Sequence, residues 1–367
     1  MDFNNVLITV GVLAGIGGAL ALLMSVAQST IGNFGEQTIT VNNEKKLTMD
    51  GGDTLLAGLI DNEVFIPSAC GGKGSCGYCK CNVTSGGGQF LPTERGYVTP
   101  EEEKEGVRLA CQVKVKEDIA IEIPEEYLSL KQYDAIVTKI TDVTDKIKHI
   151  FLKLPEGEEM EFKAGQYVQL LAPEYPGNDE EVYRAYSIAS TPTKKDEIEL
   201  FIGYIPEGIA TTYVHQHLKE GQTVQIIGPF GHFFYQPGDR EMVLAGIGTG
   251  MAPIMSILRY MRDNNITDRK ATFYISARTE KDFYLMDELQ EIKEKLPNVN
   301  YVFSLTRGDD TWKGEVGRVT DTIPRLAGDL SNAEAYLCGS PVMIDGVVES
   351  LKEKGMPEES IFYDKFE

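Results

Sequence analysis

The stretch CGGKGSCGYC, residues 70–79, decides the fold of the chain around it. It sets Cys70, Cys76 and Cys79 at the spacing C-x5-C-x2-C, and Cys111 follows after 31 more residues. A [2Fe–2S] cluster takes four thiolates, three from one loop and one from a distant segment. The glycines between the cysteines let the backbone turn tightly and direct its N–H groups at the sulfides. The spacing therefore predicts a [2Fe–2S] centre in this part of the chain, although the plant-type spacing has four residues in the first gap.

Two other kinds of site use cysteines in related patterns. A structural zinc site favours two separate C-x2-C pairs, and this region holds one. A redox-active pair at Cys76 and Cys79 would explain neither Cys70 nor Cys111. Cys81 shares a strand face with Cys79 and is interpreted as a small buried residue rather than a fifth ligand.

Composition excludes several classes of protein. At roughly 150 residues per domain, 367 residues predict two or three domains. The chain has 35 Lys and Arg against 56 Asp and Glu, a net charge of −21, so nucleic acid is excluded as a partner. Five of the six cysteines fall between positions 70 and 111, which indicates a metal centre in a reducing compartment rather than a disulfide framework.

The N-terminal residues 6–27 are apolar and carry no charge. At 1.5 Å per residue such a helix crosses a hydrocarbon core of about 30 Å, so we expect a single transmembrane helix within an anchor segment, residues 1–32. A cleaved signal peptide is disfavoured because MDFNN lacks a basic residue, and a buried core helix would show polar positions. Nearby charges code the orientation weakly.

Between residues 131 and 235, six short strand-like runs separated by Gly and Pro predict an antiparallel β-barrel. The sequence Arg184-Ala185-Tyr186-Ser187 in this region resembles the RxYS motif of the ferredoxin–NADP reductase superfamily, which binds FAD. Alternation along a strand places Arg184 and Tyr186 on one face, where the guanidinium can bind the FAD pyrophosphate and the ring can pack on the flavin. Ser187 is suited to hydrogen-bond the reactive ring nitrogens.

The second candidate FAD-binding element of this region is the start of a predicted helix over residues 212–218. Gly208, Thr211 and Thr212 precede or open that helix, where free N–H groups and the helix dipole favour an anion, and the resembling family binds the flavin phosphate there. His215 and His217 lie two apart and so face different directions, and we interpret them as solvated.

The C-terminal region predicts a parallel α/β sheet that binds a nicotinamide nucleotide. A short apolar strand leads into a glycine loop and a helix, an order that directs N–H groups at a pyrophosphate. The loop departs from the Rossmann pattern GxGxxG but matches the GxGxGMAP of the reductase superfamily. The predicted binding residues are Gly246, Gly248, Gly250, Met251 and Pro253.

The same resemblance implies roles for residues farther along the chain. Cys338, followed by Gly339, Ser340 and Pro341, ends a strand at the edge where ligands bind, beside nicotinamide and flavin. A buried structural cysteine is the alternative. Phe366 best matches the terminal aromatic that covers the flavin, with Tyr363 second. The resemblance thus gives Ser187, Cys338 and Phe366 as catalytic residues.

The nucleotide preference is predicted from the residues that follow the strand ending in Ser276 and Ala277. Arg278 is the cofactor-binding candidate there, but Glu280 and Asp282 follow it closely. Two carboxylates would repel the 2′-phosphate of NADPH, while a carboxylate can accept hydrogen bonds from the 2′-hydroxyl of NADH. We therefore expect NADH, although both acidic residues can instead simply begin the next helix.

The anchor, cysteine loop and reductase motifs occur in the same order as in the F subunit of the sodium-pumping NADH:quinone oxidoreductases. This resemblance implies four segments: the anchor 1–32, a ferredoxin-like [2Fe–2S] domain of the α+β β-grasp type 33–129, an antiparallel FAD β-barrel 130–237 and an α/β NAD domain 238–367. It also implies a component of a bacterial cytoplasmic-membrane complex, with its catalytic domains on the cytoplasmic side and other membrane subunits as partners. NADH would reduce FAD and then the cluster, and partner subunits would reduce quinone while exporting Na⁺.

Two other functions stay open at this stage. The cluster and flavin domains also resemble the reductase components of bacterial oxygenases, so a membrane-tethered reductase for another acceptor is the first alternative. A non-catalytic electron carrier is the second, and the intact glycine loop argues against it. The chain is also shorter than a typical F subunit, in the flavin domain.

Overall fold

A computed structural model describes residues 10–23, 34–308 and 310–366. The chain divides into two compact units, one formed by the described residues up to Ile66 with Gly72–Ser129, the other by Pro67–Gly71 with Leu130 onward. Residues 10–23 are helical and expose apolar side chains such as Leu13 and Leu22. None of the described helices is long and apolar enough to cross a membrane. The predicted span of residues 6–27 thus lacks support here, and its two ends lie outside the described residues.

The first unit contains a mixed five-stranded sheet with a short helix packed against it. Alternating apolar residues of β1 and β2, such as Ile39 and Leu47, enter one core, and β1 pairs parallel with β5 while the other pairs are antiparallel. Thr54 caps the helix by accepting from the Ala57 amide. The sheet order is β2-β1-β5-β3-β4. The elements are β1 (Glu36–Val41), β2 (Lys45–Asp50), α2 (Leu55–Asp61), β3 (Lys80–Ser85), α3 (Pro100–Lys104), β4 (Val107–Leu109) and β5 (Ile119–Glu122), with the helical residues 10–23 as α1.

The second unit begins with the antiparallel barrel that the sequence predicts. Its sheet order is β10-β7-β6-β11-β8-β9, and a bridge between Ile188 and Leu200 joins the last strand back to the first. All six predicted runs are strands, because their alternating apolar residues fill one interior. The elements are β6 (Lys131–Thr144), β7 (Ile147–Lys153), β8 (Tyr167–Ala172), β9 (Val182–Ser187), β10 (Glu197–Gly203), α4 (Ile209–Thr212) and β11 (Thr223–Phe230).

A parallel sheet with helices on both faces completes the second unit. Its order is β15-β14-β13-β12-β16-β17, and every pair is parallel. Helix α5 packs in one core cluster, and α7 and α8 pack in another. The elements are β12 (Glu241–Gly246), α5 (Met251–Asp263), β13 (Ala271–Ala277), α6 (Met286–Lys295), β14 (Val299–Leu305), β15 (Glu315–Val316), α7 (Val319–Leu326), β16 (Ala333–Gly339), α8 (Pro341–Glu353) and β17 (Ile361–Lys365).

Candidate redox cofactor sites

The cysteine loop holds its shape through glycines in the left-handed region. Gly74 and Gly77 have φ values of 74° and 72°. A side chain at Gly77 would meet the Tyr97 ring at 2.6 Å, and one at Gly74 would meet the Gln112 amide at 2.6 Å. Only glycine fits both positions, which accounts for the sequence between the predicted ligands.

Two of the predicted ligands meet in the interior of the first unit. Cys79 and Cys111 are buried, and the hydrogen bond between their thiols, with burial, raises the pKa of Cys79 far above its usual range. Cys76 is half-buried and lies close enough to Cys79 for a negative charge on Cys76 to raise the pKa of Cys79. Metal binding removes thiol protons, so this grouping fits a cluster that takes thiolates. The half-buried Cys70 lies in the Pro67–Gly71 segment.

A [2Fe–2S] cluster shares its four protein ligands between two irons. Within the described residues, no group of three or more His, Cys, Asp or Glu is placed to hold one metal ion. Cys81 lies in the core with 4% exposure, and burial raises the pKa of its thiol to about 12. The predicted burial of Cys81 is therefore confirmed.

A buried ion pair holds the strand that precedes Cys111. The Arg108 guanidinium donates to Glu94 at 2.8 Å and to the carbonyl groups of Gly87 and Gln89. Glu94 also accepts from the Leu109 amide at 3.0 Å, two residues before Cys111. Burial alone would raise the pKa of Glu94, but the hydrogen bonds from Arg108 and two backbone amides outweigh it and hold that pKa below its ordinary value. No sequence pattern indicates this pair.

Replacing Glu94 by Gln is expected to lower the free energy of unfolding by about 3 kcal/mol at pH 7, because it leaves the Arg108 charge buried without its partner. A carboxyl with a lowered folded pKa contributes stability above its unfolded pKa of about 4.3 and loses it as pH falls. The gap between wild type and Glu94→Gln should therefore shrink below about pH 4.

The measurement is denaturant unfolding at several pH values, with the absorbance of the cluster as the signal. Glu102→Gln is the matched control, since its ion pair with Lys80 is about one-third exposed on each side. Such a surface pair is worth at most about 1 kcal/mol. Equal losses of stability in the two variants would contradict the assigned role of Glu94.

The flavin motif lies on β9, paired with β8. Arg184 and Tyr186 stand opposite Leu170 and Val168, and so share a face as predicted. Burial raises the pKa of the Tyr186 phenol, and Tyr186 packs against the barrel core. The Ser187 hydroxyl is buried and has no hydrogen-bond partner among the described residues. An orphaned buried hydroxyl at this place fits a ligand that hydrogen-bonds it, as the flavin would.

Gln169 is a polar residue near this motif that was not predicted from the sequence. It stands opposite Ala185, on the same face of the β8–β9 pair as Ser187. Its side-chain nitrogen is buried and, in the described part of the chain, also lacks a partner. A Gln inside an otherwise apolar strand run is the signal that could have found it. The half-buried Arg184 donates to the Tyr183 carbonyl at 2.7 Å.

The helix after β10 differs from its prediction. It begins at Ile209, three residues before the predicted start, with Gly208 as its N-cap, and continues as a π-helical turn over Tyr213–His217. The Thr211 hydroxyl bonds the backbone of Ile205 and Gly208, so it shapes the preceding turn. Thr212 is half-buried in the helix.

The prediction that both histidines are solvated is wrong. The ring of His215 bonds the Ile202 carbonyl at 2.9 Å, and burial lowers its pKa. His217 is half-buried and stacks on Tyr175, with ring centroids 4.6 Å apart. The π turn places both rings over the barrel, which helical spacing alone does not predict.

The glycine loop connects β12 to α5 as predicted. Gly246 and Gly250 are buried and Gly248, with φ of 57°, is exposed, while Met251 and Pro253 are buried in the first turn of α5. A side chain at Gly250 would overlap the Cys338 carbonyl oxygen of β16. The Tyr284 hydroxyl donates to the Gly248 carbonyl at 2.7 Å. Tyr284 is a second residue that was not predicted from the sequence.

Cys338 and the C-terminal strand meet at the same edge of the sheet. Cys338 is fully buried on β16, and burial, with the nearby Asp364, raises the pKa of its thiol. Asp364 stands opposite Cys338 on β17, and burial raises the pKa of its carboxyl to about 6. The Phe366 amide donates to the Gly339 carbonyl at 2.9 Å. Tyr363 is exposed, as are Ser340 and Arg278, whereas Pro341 opens α8 half-buried.

Three family models match the chain in the predicted order. They are the 2Fe-2S iron-sulfur cluster binding domain over residues 39–116, the oxidoreductase FAD-binding domain over 134–235 and the oxidoreductase NAD-binding domain over 243–349. The chain therefore binds FAD, NAD and a [2Fe–2S] cluster. These matches confirm the predicted cofactors and the three cofactor-binding domains.

Full-length relatives decide the family. The F subunit of the Na(+)-translocating NADH-quinone reductase of Neisseria meningitidis serogroup C is 37% identical, over 95% of this chain and 96% of that protein. The chain belongs to the family of these F subunits. The F subunit of Idiomarina loihiensis is 35% identical over 99% of both chains. Members of the family are named as subunits of a sodium-translocating NADH-quinone reductase, so this chain is an NADH oxidoreductase.

A solved reductase structure is similar to this chain over most of its length. The Amycolatopsis cytochrome P450 reductase GcoB matches 90% of this chain and 98% of its own, with a TM-score of 0.71 and 28% identity.

Proposed function

We propose that the chain is the NADH-oxidising subunit of a membrane redox pump that passes electrons to quinone and exports Na⁺. The identity of 37% over 95% of the chain with relatives of that name is the observation that supports it most. When bound, the flavin accepts a hydride and releases electrons singly, and the cluster takes one electron at a time. The chain supplies binding and orientation for this transfer.

Different residues of the second unit bind and orient the nicotinamide nucleotide and the flavin. The N–H groups at the start of α5 bind the nucleotide phosphates, and the exposed Gly248 lets them approach closely. The buried Ser187 hydroxyl orients the flavin ring, and Arg184 holds its pyrophosphate. The small Cys338 side chain would leave room for the nicotinamide beside the flavin, and Phe366 would cover the flavin ring in the absence of nucleotide.

The NADH preference is tested by steady-state reduction of ferricyanide by the full-length chain. We expect kcat/KM for NADH to exceed that for NADPH by at least about tenfold, because Glu280 and Asp282 repel a 2′-phosphate. Glu280→Gln should lower the ratio of kcat/KM for NADH to kcat/KM for NADPH. Arg278→Ala should not lower this ratio, because it removes the cation with which a 2′-phosphate would pair. A kcat/KM for NADPH equal to or above that for NADH contradicts the assignment, and Arg278 is then the first residue to mutate.

We further propose that residues 6–27 anchor the chain in the bacterial cytoplasmic membrane, with residues 36–367 in the cytoplasm. The uncharged sequence and the exposed apolar side chains of residues 10–23 support this proposal. The orientation rests on the location of NADH, since the Lys and Arg distribution codes it weakly. A C-terminal reporter active in the cytoplasm is the expected result. A reporter active in the periplasm alone contradicts the orientation, and recovery of the chain in the soluble fraction contradicts the anchor.

Partner subunits distinguish the pump from the tethered reductase that the likeness to GcoB raises as an alternative. The test purifies the full-length chain from native membranes in mild detergent and identifies the proteins that accompany it. Integral membrane subunits, with NADH:quinone activity stimulated by Na⁺, support the pump. An oxygenase component as the sole companion favours the reductase. A chain that leaves NADH unoxidised would be a non-catalytic carrier.

A further inference from the structure

Helix α5 contacts the flavin domain along one face. The Ser256 hydroxyl donates to the Ser190 carbonyl at 2.7 Å, and the Arg259 guanidinium donates to the Ala189 carbonyl at 2.8 Å. One turn later, Asp263 accepts from the Thr193 hydroxyl at 2.7 Å. Spacings of three and four residues put the three α5 side chains on one helix face. We call Ser256, Arg259 and Asp263 the α5 anchor face.

Arg259 is the centre of a buried charge network. Its side chain is 6% exposed and pairs with Glu199 on β10 at 2.9 Å and, through two nitrogens, with Glu288 on α6 at 2.7 Å. The ring of His149 on β7 bonds the same Glu199 at 2.8 Å. The planar guanidinium fork satisfies three partners at once, a geometry that a lysine ammonium cannot reproduce. The network therefore fixes α5 against two barrel strands.

On each side of this contact, the contacting residues lie close in the chain to a proposed cofactor site. Residues Ala189 and Ser190 follow Ser187, the flavin residue, after one intervening position. At the other end, α5 begins at Met251, directly after the glycine loop. Tyr284 adds a second link, since its ring meets Phe201 of β10 edge-on at 5.4 Å while its hydroxyl holds the Gly248 carbonyl.

We propose that Arg259 is a positioning residue for hydride transfer, which fixes the distance between the nicotinamide site on α5 and the flavin site that ends at Ser187. This inference rests on the proposed oxidation of NADH by FAD. The nucleotide phosphates bind the N-terminus of α5 and move with it, so a shift of the helix leaves NADH affinity largely intact. The same shift changes the distance between the two rings, and a displacement of about 1 Å costs about a hundredfold in rate.

The test measures flavin reduction in the FAD-loaded, full-length chain by anaerobic stopped flow over a range of NADH concentrations. Arg259→Met removes all polar contacts, and Arg259→Lys keeps the charge but loses the fork. We expect the limiting rate to fall about a hundredfold in Arg259→Met and about tenfold in Arg259→Lys, with the Kd for NADH changed less than about threefold. Ser256→Ala should show a smaller decrease in the same parameter. Arg325→Lys, at an exposed arginine on α7 that pairs with Glu315 at 2.8 Å, is the matched control and should keep the wild-type rate.

Two further readouts separate positioning from loss of structure. FAD content and the flavin absorption spectrum should match wild type in Arg259→Lys, and NADH deuterated at the transferred position should show a primary isotope effect on the slower limiting rate. A wild-type limiting rate in Arg259→Lys, or a decrease confined to the Kd or proportional to lost FAD, overturns the inference. If Arg259→Met does not fold, Arg259→Lys and Ser256→Ala decide. If NADH fails to reduce the flavin of the wild-type chain, the proposed function itself fails.

Discussion

Replacing Cys79 by Ala is expected to remove the [2Fe–2S] cluster completely while FAD stays bound. Cys79 is buried beside Cys111 in the core of the first unit, where its thiolate on the iron is not readily replaced by water. The flavin motif lies in a separate unit and keeps its own core. Cys70→Ala, Cys76→Ala and Cys111→Ala should have the same effect. The measurements are the visible absorbance and EPR signal of the cluster, with FAD content determined on the same samples.

Cys81 and Cys338 are the matched controls for these variants. Neither belongs to the C-x5-C-x2-C set that Cys111 completes: Cys81 is buried in the core of the first unit, and Cys338 is buried on β16 of the second unit. Cys81→Ala and Cys338→Ala should keep the cluster signal. A cluster that survives the loss of Cys111 but not that of Cys81 would show that Cys81 is the fourth ligand.

Replacing Gly250 by Ala is expected to lower NADH-dependent flavin reduction by about a hundredfold or more. The added methyl group would overlap the backbone carbonyl of Cys338, so the glycine loop and β16 must move apart. Because a backbone atom cannot swing away as a flexible side chain can, both the phosphate site and the edge that positions nicotinamide are displaced. The measurement is the rate of flavin reduction by NADH in stopped flow.

Gly328→Ala is the control, because a side chain there has no described atom within 4 Å. It should reduce its flavin at the wild-type rate. In Gly250→Ala, dithionite should still reduce FAD and the cluster, which separates loss of the nucleotide site from loss of the fold. A Gly250→Ala variant with wild-type kcat and KM for NADH would contradict the proposed place of nucleotide binding.

The barrel could be predicted from the sequence because alternating apolar residues mark each of its strands, and most of the parallel sheet could be predicted because its buried strands are short apolar runs. All six strand-like runs that the sequence predicts between residues 131 and 235 are strands of the barrel. The helix α7 and the strand β17 were not predicted. Pro324 interrupts the helical pattern of α7, and β17 becomes a strand by pairing with β16 at the sheet edge. Such pairing is a long-range effect that local pattern does not contain.

The candidate sites were predictable only where a short motif carries them. The cysteine loop, Ser187 and the glycines of the loop before α5 fall into this group. Tyr284 and Arg259 do not, because their partners Gly248 and Glu199 lie 36 and 60 residues away in the chain. Residues that hold a site in place through tertiary contacts have no fixed spacing, so only the folded chain reveals them.

Electron transfer from NADH through FAD to the cluster is tested most directly by an anaerobic titration of the full-length chain, loaded with FAD and cluster, with NADH. Absorbance follows the flavin and EPR follows the cluster at each addition. We predict that NADH bleaches the flavin and that the signal of the reduced [2Fe–2S] cluster grows with it, while Cys111→Ala keeps flavin reduction and shows no cluster signal. A flavin that stays oxidised under NADH, or a cluster that dithionite reduces but NADH leaves oxidised, would contradict this order of transfer.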